Sequence, residues 1–442
     1  MSKRKKIKKK DIFIKARMIS EGVCIQALPE RFSSDLRELS ETERKGELNE
    51  IEVPKKLDFS DIDNIMKLAF NNSIYSSANS LLGTTLILEE SGLLAPIYPN
   101  KHSRLDFSME GETVTISDGG DVLATGKLPK KPEWMNAKLS NGLPITAALP
   151  GVSASIINVV FTLACMNYNS NRGCRYCNLF ANPVSRHPDM LMLPKKALSE
   201  WAKYQAEAVQ IATEHRWHGN IALSGGALPP RLRGEYLERI EIVLSMLREY
   251  VGEETLKSQT NIVYNHYPPE DLSDMWKWKE MGIQATSIDL EVMDPAYFAA
   301  ICPGKNAYKP HAYWKKAQEK SVEVFGPIFG TTGCIVMGIE PMETLVKGMD
   351  ERLSKGIMPI PLVFFSAPGA AYWGFRAPTA EWIVEASEKI VDSFLKYAPK
   401  YLPTALAQRG RRSGRKTGSR SRQSTHLTVV FDELARRMGG SF

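Results

Sequence analysis

Three cysteines close together in the sequence are the residues most able to carry chemistry. Cys165, Cys174 and Cys177 fall within thirteen residues, with the spacing CX8CxxC. The apolar, β-rich run 156–163 leads directly into them, which predicts a loop at the carboxyl end of a strand. In parallel α/β folds this end of the sheet carries the functional site. Three thiolates on one loop suit a soft metal ion or an iron–sulfur cluster.

The spacing is not that of a usual structural zinc site. Such a site takes four ligands, often as two close pairs, and Cys24, Cys302 and Cys334 have no Cys or His beside them in the sequence. A cubane cluster held by three cysteines instead keeps one iron free for a small chelating ligand. The alternative is a loop of buried, unligated cysteines or an incomplete zinc site.

The cysteine loop resembles the cluster loop of radical SAM enzymes, although their most common spacing is CxxxCxxC. Tyr176 supplies the aromatic residue that is usual just before the last cysteine of that loop. The resemblance implies a 4Fe–4S cluster on Cys165, Cys174 and Cys177, with S-adenosylmethionine (SAM) chelating the fourth iron. It also implies reductive cleavage of SAM and hydrogen abstraction from a substrate carbon.

Three further stretches are similar to cofactor-binding motifs of the same family. Each lies at the end of a predicted strand, where the resemblance implies contacts with the amino group, the ribose or methionyl part, and the adenine of SAM. Glycines permit the close backbone approach that such contacts need, and Glu291 is preferred over Asp289 as the ligand of the second stretch. The predicted cofactor-binding residues are Tyr176, Ser224, Gly225, Gly226, Glu291, Ile335 and Gly338.

A finer resemblance points to the biotin-synthase-related branch of the family. It rests on Glu291, on the segment 301–305 and on the turn 339–341. Sulfur insertion is not carried over, because Cys302 and Cys334 are too few for a second cluster with four cysteine ligands. His266, at the end of the predicted third strand, is interpreted as a packed or hydrogen-bonded residue rather than a catalyst.

The elements that position these residues alternate along the chain from about residue 150. Six apolar runs near 155–164, 220–226, 260–266, 284–291, 333–338 and 359–366 are each followed by a helical pattern. This predicts an α/β fold with a parallel sheet, and the resemblance implies a partial (β/α)6 barrel. We expect this core at 150–400, after a small α+β accessory domain at 55–145 that contains a hairpin around Asp118–Asp121.

Composition places the positive charge near the ends of the chain. The net charge is +7, yet residues 1–17 hold nine Lys or Arg and residues 409–422 hold seven, so the remainder is net acidic. We therefore expect a basic, polar segment at 1–54 and a basic, Gly/Ser/Arg-rich tail at 401–442, which is disordered to about Ser424 and is followed by a short helix at Val429–Met438. Such ends can contact nucleic acid, but the absence of aromatic residues among the tail's basic ones favours a solubilising role.

The sequence thus predicts a radical SAM enzyme that acts on an unidentified substrate, with a small molecule favoured. An electron donor such as ferredoxin or flavodoxin would reduce the cluster. No secretory signal, membrane span or disulfide framework is indicated, so we expect a reducing, cytoplasmic setting. The rival hypothesis is a non-catalytic zinc or iron–sulfur protein with nucleic-acid-binding ends, and a zinc hydrolase would need a cluster of His and carboxylate ligands that the scattered histidines do not supply.

Overall fold

A computed structural model describes residues 6–25, 54–68, 85–130, 132–149, 151–152, 155–177, 179, 183–366, 369–413 and 428–439. The fold is mixed α/β, with two sheets and one contiguous apolar core. In the described part of the chain, no helix is both long and apolar enough to cross a membrane.

The larger sheet contains all six predicted parallel strands, in the order in which they occur along the chain. Buried Ile157, Val159, Val160 and Phe161 dominate the strand Ile156–Thr162, as expected where both faces of a strand are covered. A short edge strand, β7, runs antiparallel to β8. The strands are β7 (Gly151–Val152), β8 (Ile156–Thr162), β9 (Gly219–Gly225), β10 (Thr260–Asn265), β11 (Ala285–Ser287), β12 (Thr331–Met337) and β13 (Met358–Val363).

Helices follow the parallel strands. The carboxyl ends of these strands, and the loops after them, therefore lie at one edge of the sheet. Trp201, Trp278 and Trp314 lie fully buried in three of these helices. The helices are α3 (Met166–Asn169), α4 (Pro183–Arg186), α5 (Lys195–Glu214), α6 (Tyr236–Val251), α7 (Glu253–Gln259), α8 (Asp274–Glu280), α9 (Pro295–Ile301), α10 (Pro303–Tyr308), α11 (His311–Phe325), α12 (Met342–Ser354) and α13 (Ala380–Ser413).

The smaller sheet has six strands in the order β1-β4-β5-β6-β2-β3. The predicted hairpin is confirmed as β5 and β6, which pair antiparallel across the turn at Asp118–Asp121. A short helix, α2 (Ile62–Met66), begins after Asp61, whose side chain accepts a hydrogen bond from the Asn64 amide. The strands are β1 (Cys24–Ile25), β2 (Thr85–Leu88), β3 (Leu94–Pro96), β4 (Leu105–Glu110), β5 (Thr113–Asp118) and β6 (Asp121–Lys127).

The prediction of disordered basic ends was wrong for the described residues there. Helix α1 (Lys9–Glu21) buries Ile12, Met18 and Ile19, and β1 joins the smaller sheet beside β4. Helix α13 continues to Ser413. The short helix predicted at Val429–Met438 is confirmed as α14 (Val430–Arg437), which packs against α1 and α13. The basic composition concealed an apolar face that repeats at helical spacing. Residues 414–427, like 26–53, lie outside the described part of the chain.

Candidate cluster and cofactor site

The cysteine loop leaves the carboxyl end of β8 and is held in place by backbone hydrogen bonds. Cys165 stands at the N-terminal boundary of α3, and the Met166 amide donates to the Ala227 carbonyl at 2.9 Å. The Cys177 amide donates to the Cys174 carbonyl at 3.1 Å. The first of these bonds ties the loop to the segment after β9, and the second closes the turn between the last two cysteines.

A tyrosine from the same loop closes it from within. The Tyr168 hydroxyl donates a short hydrogen bond to the Cys177 carbonyl, and the Tyr168 ring lies against Gly173. A Cβ built on Gly173 would approach that ring to 2.9 Å, closer than real side chains come. The glycine before Cys174 therefore permits the loop to fold tightly around the ring.

The three predicted cluster cysteines influence one another electrostatically. Burial, and then the neighbouring Cys174, raises the pKa of Cys177 to about 12. Burial also raises the pKa of Cys165, with a further contribution from Cys174. Without bound metal the thiols are therefore protonated at neutral pH, and a metal must displace their protons to bind.

Among the described residues, no three His, Cys, Asp or Glu side chains are close enough to hold a single metal ion. A 4Fe–4S cluster does not need such a group, because each thiolate binds a different iron. The soft donor set and the mutual influence of Cys165, Cys174 and Cys177 fit this cluster better than a lone zinc ion, which takes four ligands in a structural site.

Cys174 has a second group of neighbours that the sequence analysis missed. A hydrogen bond that the Cys174 thiol donates to Cys302, followed by burial, raises the pKa of Cys174 well above the usual value, whereas the charge of Lys305 acts in the opposite direction. The Cys302 sulfur also lies 4.0 Å from the Tyr176 hydroxyl. The junction between α9 and α10 thus meets the cysteine loop, and the Arg175 amide donates to the Ile301 carbonyl at 2.9 Å.

The predicted glycine motif lies directly against the first cysteine. A Cβ on Gly226 would meet the Ala164 carbonyl oxygen at 2.3 Å and the Cys165 Cβ at 2.5 Å. A Cβ on Gly225 would meet the Thr162 carbonyl oxygen at 2.4 Å. These contacts show why the motif must be glycine, and they bring the end of β9 beside Cys165.

Two further residues complete the arrangement at the end of β9. Ser224 pairs with Asn265 of β10 in the sheet register. His266 Nε2 donates to the Gly226 carbonyl at 2.8 Å, and its ring is packed among aromatic side chains. Burial lowers the pKa of His266 to about 4, so it is neutral at pH 7. The interpretation of His266 as a packed residue is confirmed.

Glu291 does not follow from regular strand geometry, because the fourth strand ends at Ser287. Its backbone has a φ of 68°, in the left-handed region that non-glycine residues seldom adopt. It is held there by a bridge to Ile335 of β12: the Glu291 amide donates to the Cys334 carbonyl at 3.0 Å, and the Glu291 carbonyl accepts from the Val336 amide at 2.8 Å. The structure therefore brings Glu291 and Ile335 together, as the motifs suggested.

Lys305 is the charge partner of Glu291 at this site. Its Nζ donates to Glu291 Oε1 at 2.5 Å and to the Asp289 carbonyl at 2.8 Å, and it lies 4.8 Å from the Trp314 ring centre. Burial raises the pKa of Glu291, while Lys305 lowers it. Tyr176 completes this group, because its hydroxyl is within hydrogen-bonding reach of the same carboxylate. In the sequence, the only signal for Lys305 was its place in the segment Ile301–Lys305.

Asp289, the alternative to Glu291, has a structural role. Its carboxylate accepts hydrogen bonds from the Cys334 amide at 2.8 Å, the Ser287 hydroxyl at 2.7 Å and the Asn265 side chain at 2.9 Å. These three bonds fasten β10, β11 and β12 to one another. Glu291 is the carboxylate whose contacts are with Lys305 and Tyr176 instead.

Gly338, the last of the predicted cofactor-binding residues, packs against Pro378. It follows β12 with a φ of 97°, and a Cβ there would meet the Pro378 ring at 2.5 Å. The glycine therefore lets the chain turn tightly against the segment that precedes α13. Its predicted contact with adenine remains a prediction.

Comparison with known proteins adds a relative to this geometry. No family model matches the sequence. The chain is 39% identical over 355 residues to bacteriochlorophyllide c C-7(1)-hydroxylase from Chlorobaculum limnaeum, a match that covers 80% of this chain and 87% of that protein. The chain belongs to this enzyme's family. It is a radical SAM enzyme, and radical SAM enzymes as a class use a 4Fe–4S cluster and SAM.

Proposed function

We propose that this radical SAM enzyme hydroxylates a carbon of a bacteriochlorophyllide or a closely related chlorin. The substrate class comes from the relative, which is a hydroxylase of bacteriochlorophyllide c and matches most of both chains. The observation that carries the proposal is the meeting of Cys165, Cys174 and Cys177 with Gly226 and the Lys305–Glu291 pair at one edge of the sheet.

Cys165, Cys174 and Cys177 are the residues that would hold the 4Fe–4S cluster. Their sulfurs must lose protons to do so, and the positive charge of Lys305 favours the thiolate form of Cys174. Hydrogen bonds to the loop carbonyls, including the one from Tyr168, keep the three sulfurs in position. Because the cysteines are half-buried, the fold limits the access of water to the cluster.

Opposite charges next to Cys174 suit the amino-acid end of SAM. Glu291 can accept hydrogen bonds from its amine, and Lys305 can donate to its carboxylate, each at the expense of the present pair. The backbone at Ser224, Gly225 and Gly226 can approach the same end, and Ile335 supplies apolar surface beside Glu291. Tyr176 hydrogen-bonds to Glu291 and orients its carboxylate.

Together the cluster and SAM supply a 5′-deoxyadenosyl radical that removes a hydrogen atom from an unreactive carbon. Hydroxylation also requires an oxygen atom and the loss of one more electron: the substrate carbon radical would give this electron to the oxidised cluster, and water would add its oxygen to the resulting cation with loss of a proton. The protein's own part is to bind the cluster, SAM and the substrate, and to orient the substrate carbon and the attacking water. A one-electron donor such as ferredoxin or flavodoxin would reduce the cluster. The six parallel strands in chain order are consistent with a partial (β/α)6 barrel of the radical SAM type, and membership of the biotin-synthase-related branch stays a prediction.

The rival hypothesis of a non-catalytic metal protein is not retained, since the relative is an enzyme. Its nucleic-acid-binding ends are also not supported at the N-terminal helix. There Lys9 pairs with Glu388, Lys10 pairs with Glu90, and Arg17 pairs with acidic neighbours. These basic residues therefore serve the packing of α1 against the rest of the molecule.

Anaerobic reconstitution of the full chain tests the cluster assignment. We expect about four irons per chain, as a 4Fe–4S cluster requires, and formation of 5′-deoxyadenosine from SAM after reduction. Cys174→Ala should lose both the cluster and SAM cleavage, because one of three protein ligands is missing. Cys24→Ala, which changes a cysteine in β1, is the matched control and should retain both. Cleavage of SAM by Cys174→Ala at the wild-type rate would contradict the assignment.

A further inference from the structure

An open apolar groove lies beside the cysteine loop at the carboxyl edge of the parallel sheet. Its volume is about 550 Å³, and its walls come from α3, from the 3₁₀ helix at Pro188–Met192 and from the segment after β9. The residues on which the argument depends are Met166, Leu191, Met192, Pro229, Pro230 and Arg231. Pockets of about 300–1,000 Å³ are of the size that takes a drug-sized organic ligand.

The groove is built onto the cluster loop. Met166, in its wall, directly follows Cys165, and the Met166 amide donates to the Ala227 carbonyl at 2.9 Å. That hydrogen bond joins the wall formed by α3 to the segment that continues into Pro229 and Pro230. A ligand in the groove would therefore sit next to Cys165, the first of the proposed cluster ligands.

Among the described residues that line the groove, Arg231 carries a charge and Ser170 adds a hydroxyl to an otherwise apolar surface. Arg231 is exposed, and its guanidinium contacts the Met192 sulfur at 2.8 Å. A thioether is a weak acceptor, and within the described residues no carboxylate pairs with Arg231. The guanidinium can therefore take a carboxylate from a ligand in two-point contact.

We propose that this groove binds one face of the chlorin substrate and that Arg231 pairs with the substrate's carboxylate. The inference rests on the proposed function, because a bacteriochlorophyllide is a flat, largely apolar macrocycle that carries a free carboxylate. The thioethers of Met166 and Met192 provide soft contacts for a conjugated ring system. The rigid Pro229 and Pro230 complete an apolar surface that needs little ordering on binding.

Chlorin binding to the full chain can be measured without SAM cleavage. The probe is pyropheophorbide a, a chlorin with one free carboxylate, and its methyl ester is the matched ligand without the charge. Titration is followed by chlorin absorbance and fluorescence. We expect Arg231→Gln to weaken binding of the acid by about tenfold, the size of one charge-assisted contact near the surface, and to leave binding of the ester unchanged. Arg104→Gln, at an exposed site in the smaller sheet, is the control and should bind like wild type.

A second variant tests the groove independently of its charge. Leu191→Trp should fill the groove and weaken binding of the acid and the ester alike, and circular dichroism checks that this variant is folded. Equal affinity of the acid for wild type and for Arg231→Gln, or unchanged binding to Leu191→Trp, would overturn the inference. Failure of the proposed function would look different. The reconstituted enzyme would then bind chlorin as described but would not hydroxylate a bacteriochlorophyllide in the presence of SAM and a reductant.

Discussion

Lys15 and Lys305 are both buried and both pair with a carboxylate at 2.5 Å, but they have different neighbours. Lys15 of α1 meets Asp432 of α14 and also donates to the Thr428 carbonyl at 3.1 Å, so it joins two segments that are far apart in the sequence. Lys305 meets Glu291 beside Cys174 and Tyr176. Similar ion pairs thus join distant segments of the fold in one region and lie in the proposed SAM site in the other.

The largest effect is expected when the pair at the chain ends is broken. Lys15→Met leaves Asp432 buried without its cation, which should lower the free energy of unfolding by about 3–5 kcal/mol. Chemical denaturation measures this change. The double variant Lys15→Met with Asp432→Leu should recover most of the loss, because an apolar pair of similar volume replaces the ion pair. SAM cleavage per folded molecule should stay unchanged, and a selective loss of cleavage would remove the contrast between the regions.

His266 is also buried near the candidate site, but it has no carboxylate partner among the residues described here. Burial lowers its pKa from 6.5 to about 4, so as the pH falls from 7 to 4 the unfolded state takes up a proton before the folded state does. The free energy of unfolding therefore falls by about 3 kcal/mol over this range, because each unit of pKa shift is worth about 1.4 kcal/mol. His266→Gln should lack that part of the loss, measured by denaturation at several pH values, whereas exposed His102→Gln should not differ from wild type.

The smallest change in stability, but a clear one in binding, is expected at Lys305. Lys305→Met should weaken SAM binding by about 10- to 100-fold, the value of one hydrogen bond between charged groups. The fold should suffer less than in Lys15→Met, because burial already raises the pKa of Glu291, which can take up a proton. Equilibrium dialysis of the reconstituted enzyme measures the affinity. Lys309→Met, four residues away, is the control; equal losses in both variants would contradict the role of Lys305.

The parallel sheet could be predicted because its strands are apolar runs separated by helical patterns. Five of these strands begin within two residues of the predicted position, namely β8, β9, β10, β12 and β13. Their order in the sheet follows the chain. The fourth strand, β11, is shorter than predicted, because the chain leaves regular pairing after Ser287 to place Asp289 and Glu291. A left-handed backbone at a glutamate has no sequence signal, since glutamate rarely adopts it.

The site could be predicted only where its residues are close in sequence. Cys165, Cys174 and Cys177 form a local motif, and the glycines after β9 form another. Cys302 and Lys305 are more than a hundred residues from Cys174, so only the packing of α10 against the cysteine loop reveals their contact. Distance in the sequence also explains why the docking of α1 was not predicted. Its lysines suggested a solvated arm, whereas Lys15 contacts Thr428 and Asp432 near the other end of the chain.

The contact between Lys15 and Asp432 has a consequence for the synthesis of the protein. The two residues are 417 positions apart, and the ribosome makes Lys15 long before it makes its partner. While the chain grows, Lys15 of α1 lacks the carboxylate that it contacts in the finished fold. Helix α1 should therefore dock firmly only after residues 428–437 have emerged, so that a nascent chain interrupted before them keeps this helix open to chaperones and proteases.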